Sequence, residues 1–185
     1  MIETYSTMIG QFFGLASLIL CVLAFSSKND DKLLVLLLSA NVAFALQFMV
    51  FGSWTAAALT VLVIVRIALA RRYPGSKRVM GVVLAISGVA AAFTWQGWAD
   101  LPAVLAMILG TLSMFLLRGI PMRVFLGLAA VCWMISHILV GSVGGTLAEA
   151  LVIIANTITI YRLYKIKQQA KYMAEQSNPS SSSSS

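Results

Sequence analysis

The feature that most constrains this chain is a series of seven apolar stretches, each long enough to cross a lipid bilayer as a helix. A transmembrane helix needs about 20 apolar residues, with a range of about 17–25. With 60% hydrophobic and 10% charged residues, the chain departs from soluble domains towards membrane proteins. We therefore predict an all-α integral membrane protein with seven transmembrane helices. The stretches are Met8–Ser26, Leu33–Phe51, Ser53–Ala70, Val79–Trp95, Leu101–Leu117, Pro121–Val140 and Gly144–Tyr164.

The positions of the basic residues support seven spans and predict the orientation of the chain. All but one of the 13 Lys and Arg residues lie in every second loop or in the C-terminal segment, and the exception, Arg66, lies inside the third stretch. Because cytoplasmic loops carry an excess of Lys and Arg, the N-terminus is expected to be periplasmic and the C-terminus cytoplasmic. The net charge of +7 is then explained by topology, with the bilayer and not a nucleic acid as the partner.

Loop lengths and charges predict an internal repeat of three helices. In each half, two basic residues precede the second helix and four follow the third, and a Gly-Ser turn (Gly52-Ser53 and Gly141-Ser142) joins those two helices. A single linking helix makes the two units enter the membrane from the same side, which gives parallel triple-helix repeats in a 3+1+3 plan. We predict a first repeat at 1–78, a linker helix at 79–99, a second repeat at 100–164, and a basic, then Ser-rich, disordered cytoplasmic tail at 165–185.

Composition limits the chemistry that the chain can perform. It has one histidine, His137, and two cysteines, Cys21 and Cys132, both inside apolar stretches. A zinc site needs about four N, S or O ligands at recognisable spacing, and none is present. No nucleotide-binding loop or hydrolase motif occurs. We therefore expect neither an enzyme nor a resident metal or cofactor.

Ionisable residues inside the spans are the candidates for function, because charges are costly at the bilayer centre. Arg66 can extend to the cytoplasmic surface or face a pore. Glu149 and His137 lie at similar distances from the outer turn between the sixth and seventh helices. They are expected to form either a proton-responsive gate or a structural hydrogen bond. Trp133, in the middle of the sixth stretch, is either a cavity wall or a packed core residue.

The second half of the chain contains several motifs, of which the most specific is the run Gly-Ser-x-Gly-Gly-Thr-x-x-Glu at residues 141–149. On these motifs the chain resembles the YgjV-type family of bacterial inner membrane proteins, and the resemblance covers nearly the whole chain apart from the tail. It implies a bacterial inner membrane location and no particular activity. The other residues that carry it are Leu101-Pro102, Gly110-Thr111, Arg118-Gly119-Ile120-Pro121-Met122-Arg123, Cys132-Trp133, Asn156 and Tyr161-Arg162.

The 3+1+3 plan is more distantly similar to the SWEET and PQ-loop transporter superfamily. That resemblance implies a substrate-binding asparagine on the third helix of a repeat, and Asn156 lies at this position, with Arg66 near its counterpart. The expected function is transport of a small polar solute by alternating access, with Asn156, Arg66 and Trp133 at the substrate. The alternative is a membrane scaffold, chaperone or sensor that transports nothing. The oligomeric state is left open.

Overall fold

The structure, a computed structural model, describes residues 2–51, 54–95, 97–140 and 143–177. Within these ranges the chain consists of seven α-helices joined by short loops, with a short 3₁₀ helix before the fifth α-helix and no strand. The all-α prediction is confirmed, and the helix ends lie within a few residues of most of the predicted span ends. The helices are α1 (Ile2–Ser26), α2 (Asp30–Val50), α3 (Trp54–Arg72), α4 (Lys77–Thr94), α5 (Leu101–Leu116), α6 (Ile120–Val140) and α7 (Val143–Ser177).

Four of these helices are individually long and apolar enough to cross a membrane. The segments are Met8–Ser26 of α1, Asp30–Val50 of α2, Ile120–Leu139 of α6 and Thr146–Met173 of α7. Helix α5 is also apolar but shorter, with 16 residues. Apolar side chains cover much of the outer surface of the helices, as expected for a protein whose solvent is lipid.

Local sequence signals set the helix ends at the loops where the basic residues lie. Asn29 caps α2, because its Oδ1 accepts a hydrogen bond from the backbone N–H of Lys32 at 3.0 Å. Ser76 caps α4 in the same way through Val79. Gly75 and Gly119 adopt φ angles of 77° and 66°, which only glycine adopts readily, and so permit the turns before α4 and α6. We refer to the end of the bundle that contains these three loops as the basic end.

Six of the seven helices form a ring. Helix α2 packs between α1 and α3, and α6 packs between α5 and α7. The ring is completed where α1 packs on α7 and α3 packs on α5, while α4 lies outside it against α5. The order of neighbours stays the same when α1, α2 and α3 are exchanged for α5, α6 and α7, respectively. The relation between the two units as a sequence repeat stays a prediction.

Close helix approach in the first unit depends on small residues. A Cβ atom at Gly14 would lie 2.5 Å from Nε2 of Gln47 on α2, so the glycine provides the space for this side chain. Ser17, buried one turn further along, donates a hydrogen bond from Oγ to the carbonyl of Ala40 at 2.8 Å. Small residues and hydroxyl hydrogen bonds are how helices associate in lipid, where apolar burial gives no net drive.

The last helix extends beyond the predicted seventh span. That span ends at Tyr164, whereas α7 continues through the basic part of the predicted tail to Ser177. The physical reason is composition, because this segment is rich in Lys, Gln, Ala, Met and Glu, all favourable in helices. The serine run predicted to be disordered lies outside the described residues.

Candidate functional site

A cavity of 230 Å³ lies inside the helix ring, and side chains from all six ring helices line it. We call it the central cavity. Its apolar lining comes from all six ring helices. The lining side chains that carry a polar atom come from five of these helices, one from each, namely Cys21, Asn41, Arg66, Trp133 and Glu149. A concave site with a few convergent polar groups is the usual form of a small-molecule site.

The central cavity contains one cationic and one anionic side chain that do not pair with each other. Arg66 comes from α3 and Glu149 from α7, and both line the cavity. Among the described residues, no ion pair within 4.0 Å and no hydrogen bond involves either side chain. The Nε of Arg66 is buried and finds no hydrogen-bond partner in that part of the chain. Because burying an unpaired charge is costly, this arrangement is suited to a ligand that supplies the missing partners.

Two of the other lining side chains, Asn41 and Trp133, make contacts within their own helices. Asn41 donates a hydrogen bond from Nδ2 to the carbonyl of Leu37 in its own helix, at 2.8 Å. Trp133 stacks on His137, with ring centroids 6.1 Å apart and an interplanar angle of 29°. The stacking orients the Trp133 ring on the cavity wall. His137 itself is not among the residues that line the cavity.

The proposed pairing of His137 with Glu149 is not formed. Within the described part of the chain, no hydrogen bond or ion pair joins these two side chains. Glu149 lines the central cavity, whereas His137 lies against Trp133. Equal distance from a turn fixes the depth of two residues but not the direction in which each side chain points, because a helix turns about 100° per residue.

Asn156 also lies elsewhere than the resemblance implied. Its side chain is buried and donates a hydrogen bond from Nδ2 to the backbone carbonyl of Arg123 at 2.7 Å. A Cβ atom on Gly127 would lie 2.8 Å from this Nδ2, so the glycine provides the space for the asparagine. Asn156 thus joins α7 to α6 and is not among the residues that line the central cavity. The structure therefore shows a contact between helices, and the expected contact of Asn156 with a solute stays a prediction.

A buried ion pair at the basic end was not predicted from the sequence. Arg123 is completely buried, and its Nη2 lies 3.4 Å from Oδ1 of Asp30, whose side chain is 17% exposed. Nη1 of Arg123 also donates to the carbonyl of Phe25 at 3.4 Å, and Oδ2 of Asp30 accepts from the backbone N–H of Gly119. This Asp30–Arg123 network joins the end of α1 and the start of α2 to the loop before α6 and to α6 itself.

An apolar layer accompanies the network at the same end. Phe25 and Met114 line the central cavity and are almost fully buried, and Phe115 and Met122 beside them are buried as well. These four side chains belong to one buried apolar cluster. Phe25 also links this cluster to the Asp30–Arg123 network, because its carbonyl accepts the hydrogen bond from Arg123.

The fold and the site define the class of protein. A ring of apolar helices around a cavity with buried charges is typical of polytopic α-helical membrane proteins. Among the described residues, no three His, Cys, Asp or Glu side chains lie close enough together to hold a metal ion.

Comparison with known proteins identifies the family. The family model Imp-YgjV, described as "Bacterial inner membrane protein", matches residues 8–167, and the chain belongs to this family. The chain is also similar to "Inner membrane protein YgjV" of Escherichia coli (strain K12), with 22% identity over 161 residues, which cover 87% of each chain. No solved structure matches the chain. The resemblance to the YgjV-type family is thereby confirmed, and the chain is a bacterial inner membrane protein.

Proposed function

We propose that this protein carries a small polar solute across the bacterial inner membrane by alternating access, with the solute bound in the central cavity. The observation that carries the proposal is a pair of opposite charges, Arg66 and Glu149, which face one cavity inside a ring of apolar helices and have no partner among the described residues. Charged side chains in a membrane mark a substrate or ion pathway by default. The volume of 230 Å³ lies below the range of about 300–1,000 Å³ for drug-sized ligands and indicates a small solute.

The position of the cavity between two three-helix units supports a movement of one unit against the other. Helices α1 to α3 and α5 to α7 each contribute to the lining, and the units meet where α1 packs on α7 and α3 packs on α5. The Asp30–Arg123 network joins the units at the basic end. We take this end as cytoplasmic, with the N-terminus periplasmic, from the loop charges. Separation of Asp30 from Arg123 is then the step that opens the cavity to the cytoplasm.

A membrane scaffold, chaperone or sensor is the alternative function. A fully packed core, in which every buried polar group finds a partner within the protein, would favour that alternative. The Asp30–Arg123 network alone is compatible with it. The central cavity, with Arg66 and Glu149 unpartnered, favours transport, because a packing role gives no reason to keep two opposite charges apart inside a cavity.

Solute counterflow in proteoliposomes tests transport without knowledge of the solute. Vesicles are preloaded with unlabelled alanine, glycerol, glucose or succinate, and entry of the matching labelled solute is followed. Wild type is expected to exchange at least one of them faster than protein-free vesicles, and Arg66→Gln is expected to lose this exchange. Arg71→Gln is the matched control, because Arg71 is exposed and lies outside the central cavity. Exchange at the protein-free rate for all four solutes, or full exchange by Arg66→Gln, contradicts the proposal.

A further inference from the structure

The charges in the central cavity specify a ligand with two different ends. Arg66 presents a guanidinium, which is a donor that binds carboxylates in a bidentate manner. Glu149 presents a carboxylate, which accepts hydrogen bonds from ammonium or hydroxyl groups. The two side chains belong to α3 and α7, on different three-helix units, and are more than 4.0 Å apart. A ligand that bridges them therefore contacts both units.

Charge balance decides between the classes of small solute. An anion would satisfy Arg66 but would be repelled by Glu149, and a cation would have the converse problem. A neutral polyol would leave two full charges without a counter-charge in a site of low dielectric. A zwitterion satisfies both charges and leaves the cavity electrically neutral, so it is the class that the lining favours.

The rest of the lining limits the size of the ligand. The volume of 230 Å³ corresponds to about eight water molecules at about 30 Å³ each. Phe25, Met114 and the indole of Trp133 bound the space with apolar surface. A ligand with a short apolar side chain fits this combination better than a sugar, whose hydroxyl groups would face apolar walls without partners.

We propose that the central cavity binds a small zwitterion of the amino acid type, with Arg66 on its carboxylate and Glu149 on its ammonium. This inference rests on the proposed transport function for its biological meaning. The binding site itself is testable without any measurement of flux. Binding between α3 and α7 also gives the solute a way to draw the two three-helix units together, since each unit supplies one charged contact.

The test compares four probes of nearly the same size and shape. Alanine is the zwitterion, propionate the anion, isopropylamine the cation and lactamide the neutral analogue. Binding to the purified protein in lipid nanodiscs is measured by isothermal titration calorimetry at pH 7. Alanine is expected to bind at least about tenfold more tightly than each of the other three, because each of them loses one or both charge-assisted contacts. Equal affinity for alanine and lactamide, or no alanine binding, overturns the proposal.

Variants of Arg66 and Glu149 test which end of the ligand each side chain contacts. Arg66→Gln is expected to weaken alanine binding at least about tenfold and to bring the affinities for alanine and isopropylamine close together. Glu149→Gln is expected to make the affinities for alanine and propionate similar instead. The controls Arg71→Gln and Asp31→Asn neutralise an exposed ion pair and should leave all affinities unchanged. If both cavity variants weaken all four probes equally, the contacts with the charged ends are refuted.

The outcomes separate this inference from the proposed function. Binding of alanine without counterflow of any solute would support the zwitterion site and contradict transport. Counterflow of glycerol or glucose without selective alanine binding would support transport and overturn the zwitterion site. A cooperative thermal unfolding transition of each variant, measured without ligand, verifies that the variant is folded before its affinities are compared.

Discussion

Replacement of Asp30 by asparagine is the sharpest perturbation of the Asp30–Arg123 network. The substitution keeps the size of the side chain but removes the carboxylate charge that faces a completely buried guanidinium. Breaking a buried ion pair by removing one partner costs about 3–5 kcal/mol. The N–O distance of 3.4 Å is longer than the ideal of about 2.7–2.9 Å, and Asp30 is 17% exposed. Because both features weaken the pair, we expect a loss at or just below the lower end of that range, about 2–3 kcal/mol.

The adjacent residue provides the matched control for this loss. Asp31 forms an ion pair with Arg71 at the same N–O distance of 3.4 Å, but the side chains of Arg71 and Asp31 are 44% and 73% exposed. Both aspartates lie in the first turn of α2, so both interact with the helix dipole in the same way. Because an exposed ion pair contributes about 0–1 kcal/mol, Asp31→Asn is expected to cost at most about 1 kcal/mol.

Thermal unfolding of the purified protein, followed by tryptophan fluorescence, measures the difference. At about 2–4 °C per kcal/mol for a chain of this size, Asp30→Asn is expected to lower Tm by about 4–12 °C and Asp31→Asn by less than about 4 °C. The double variant Asp30→Asn/Arg123→Met should recover most of the loss, because replacing a whole buried ion pair by uncharged side chains is often neutral. Equal losses for Asp30→Asn and Asp31→Asn, or no recovery in the double variant, would refute the reasoning.

Three further predictions concern residues of the ring helices α3, α6 and α7. Gly127→Ala places a Cβ 2.8 Å from Nδ2 of Asn156 and should lower the free energy of unfolding by about 1–3 kcal/mol. Gly81→Ala is the control, because there is open space around Gly81, and it should be neutral or stabilising. No loss of stability in Gly127→Ala would refute the close contact. Asn156→Ala removes the hydrogen bond to the Arg123 carbonyl and should lower the free energy of unfolding by about 1–3 kcal/mol. The affinity for alanine, measured by calorimetry, should stay nearly unchanged. A loss of affinity without a loss of stability would show that Asn156 contacts the solute. Arg66→Met removes a charged group whose buried Nε has no hydrogen-bond partner among the described residues, and it should raise Tm of the ligand-free protein. A fall in Tm would indicate a partner for Arg66 within the protein.

The helices could be predicted from the sequence because apolar length is a local property. The predicted end of the fifth span at Leu117 and the observed end of α5 at Leu116 differ by one residue, since the same run of apolar side chains determines both. The extension of α7 beyond Tyr164 was not predicted, because the apolar run that defines the span ends at the first cluster of basic residues. Helix propensity in the segment up to Ser177 was the signal that could have found it.

The candidate site was predictable only in part, because which side chains meet depends on how the helices turn and pack. Arg66 and Glu149 were selected as costly charges within apolar stretches, and both line the central cavity. Arg123 was counted only as a topological charge near a loop, although its side chain is completely buried. Its partner Asp30 is 93 residues away in the chain, and no periodic pattern in one sequence connects them. The available signal was the pair of aspartates, Asp30 and Asp31, in the first turn of α2, which indicated that basic side chains lie nearby.

The most direct test of the account is the accessibility of the native Cys21 thiol, which lines the central cavity. In a Cys132→Ser background, a membrane-impermeant thiol reagent is applied to each side of sealed vesicles, with exposed Lys28→Cys as the control for the basic end. The account predicts that Cys21 is labelled from both sides of the membrane and that Asp30→Asn accelerates labelling from the basic end. If Cys21 is not labelled from either side while the control is labelled fully, the cavity is closed to solutes and the transport proposal is contradicted.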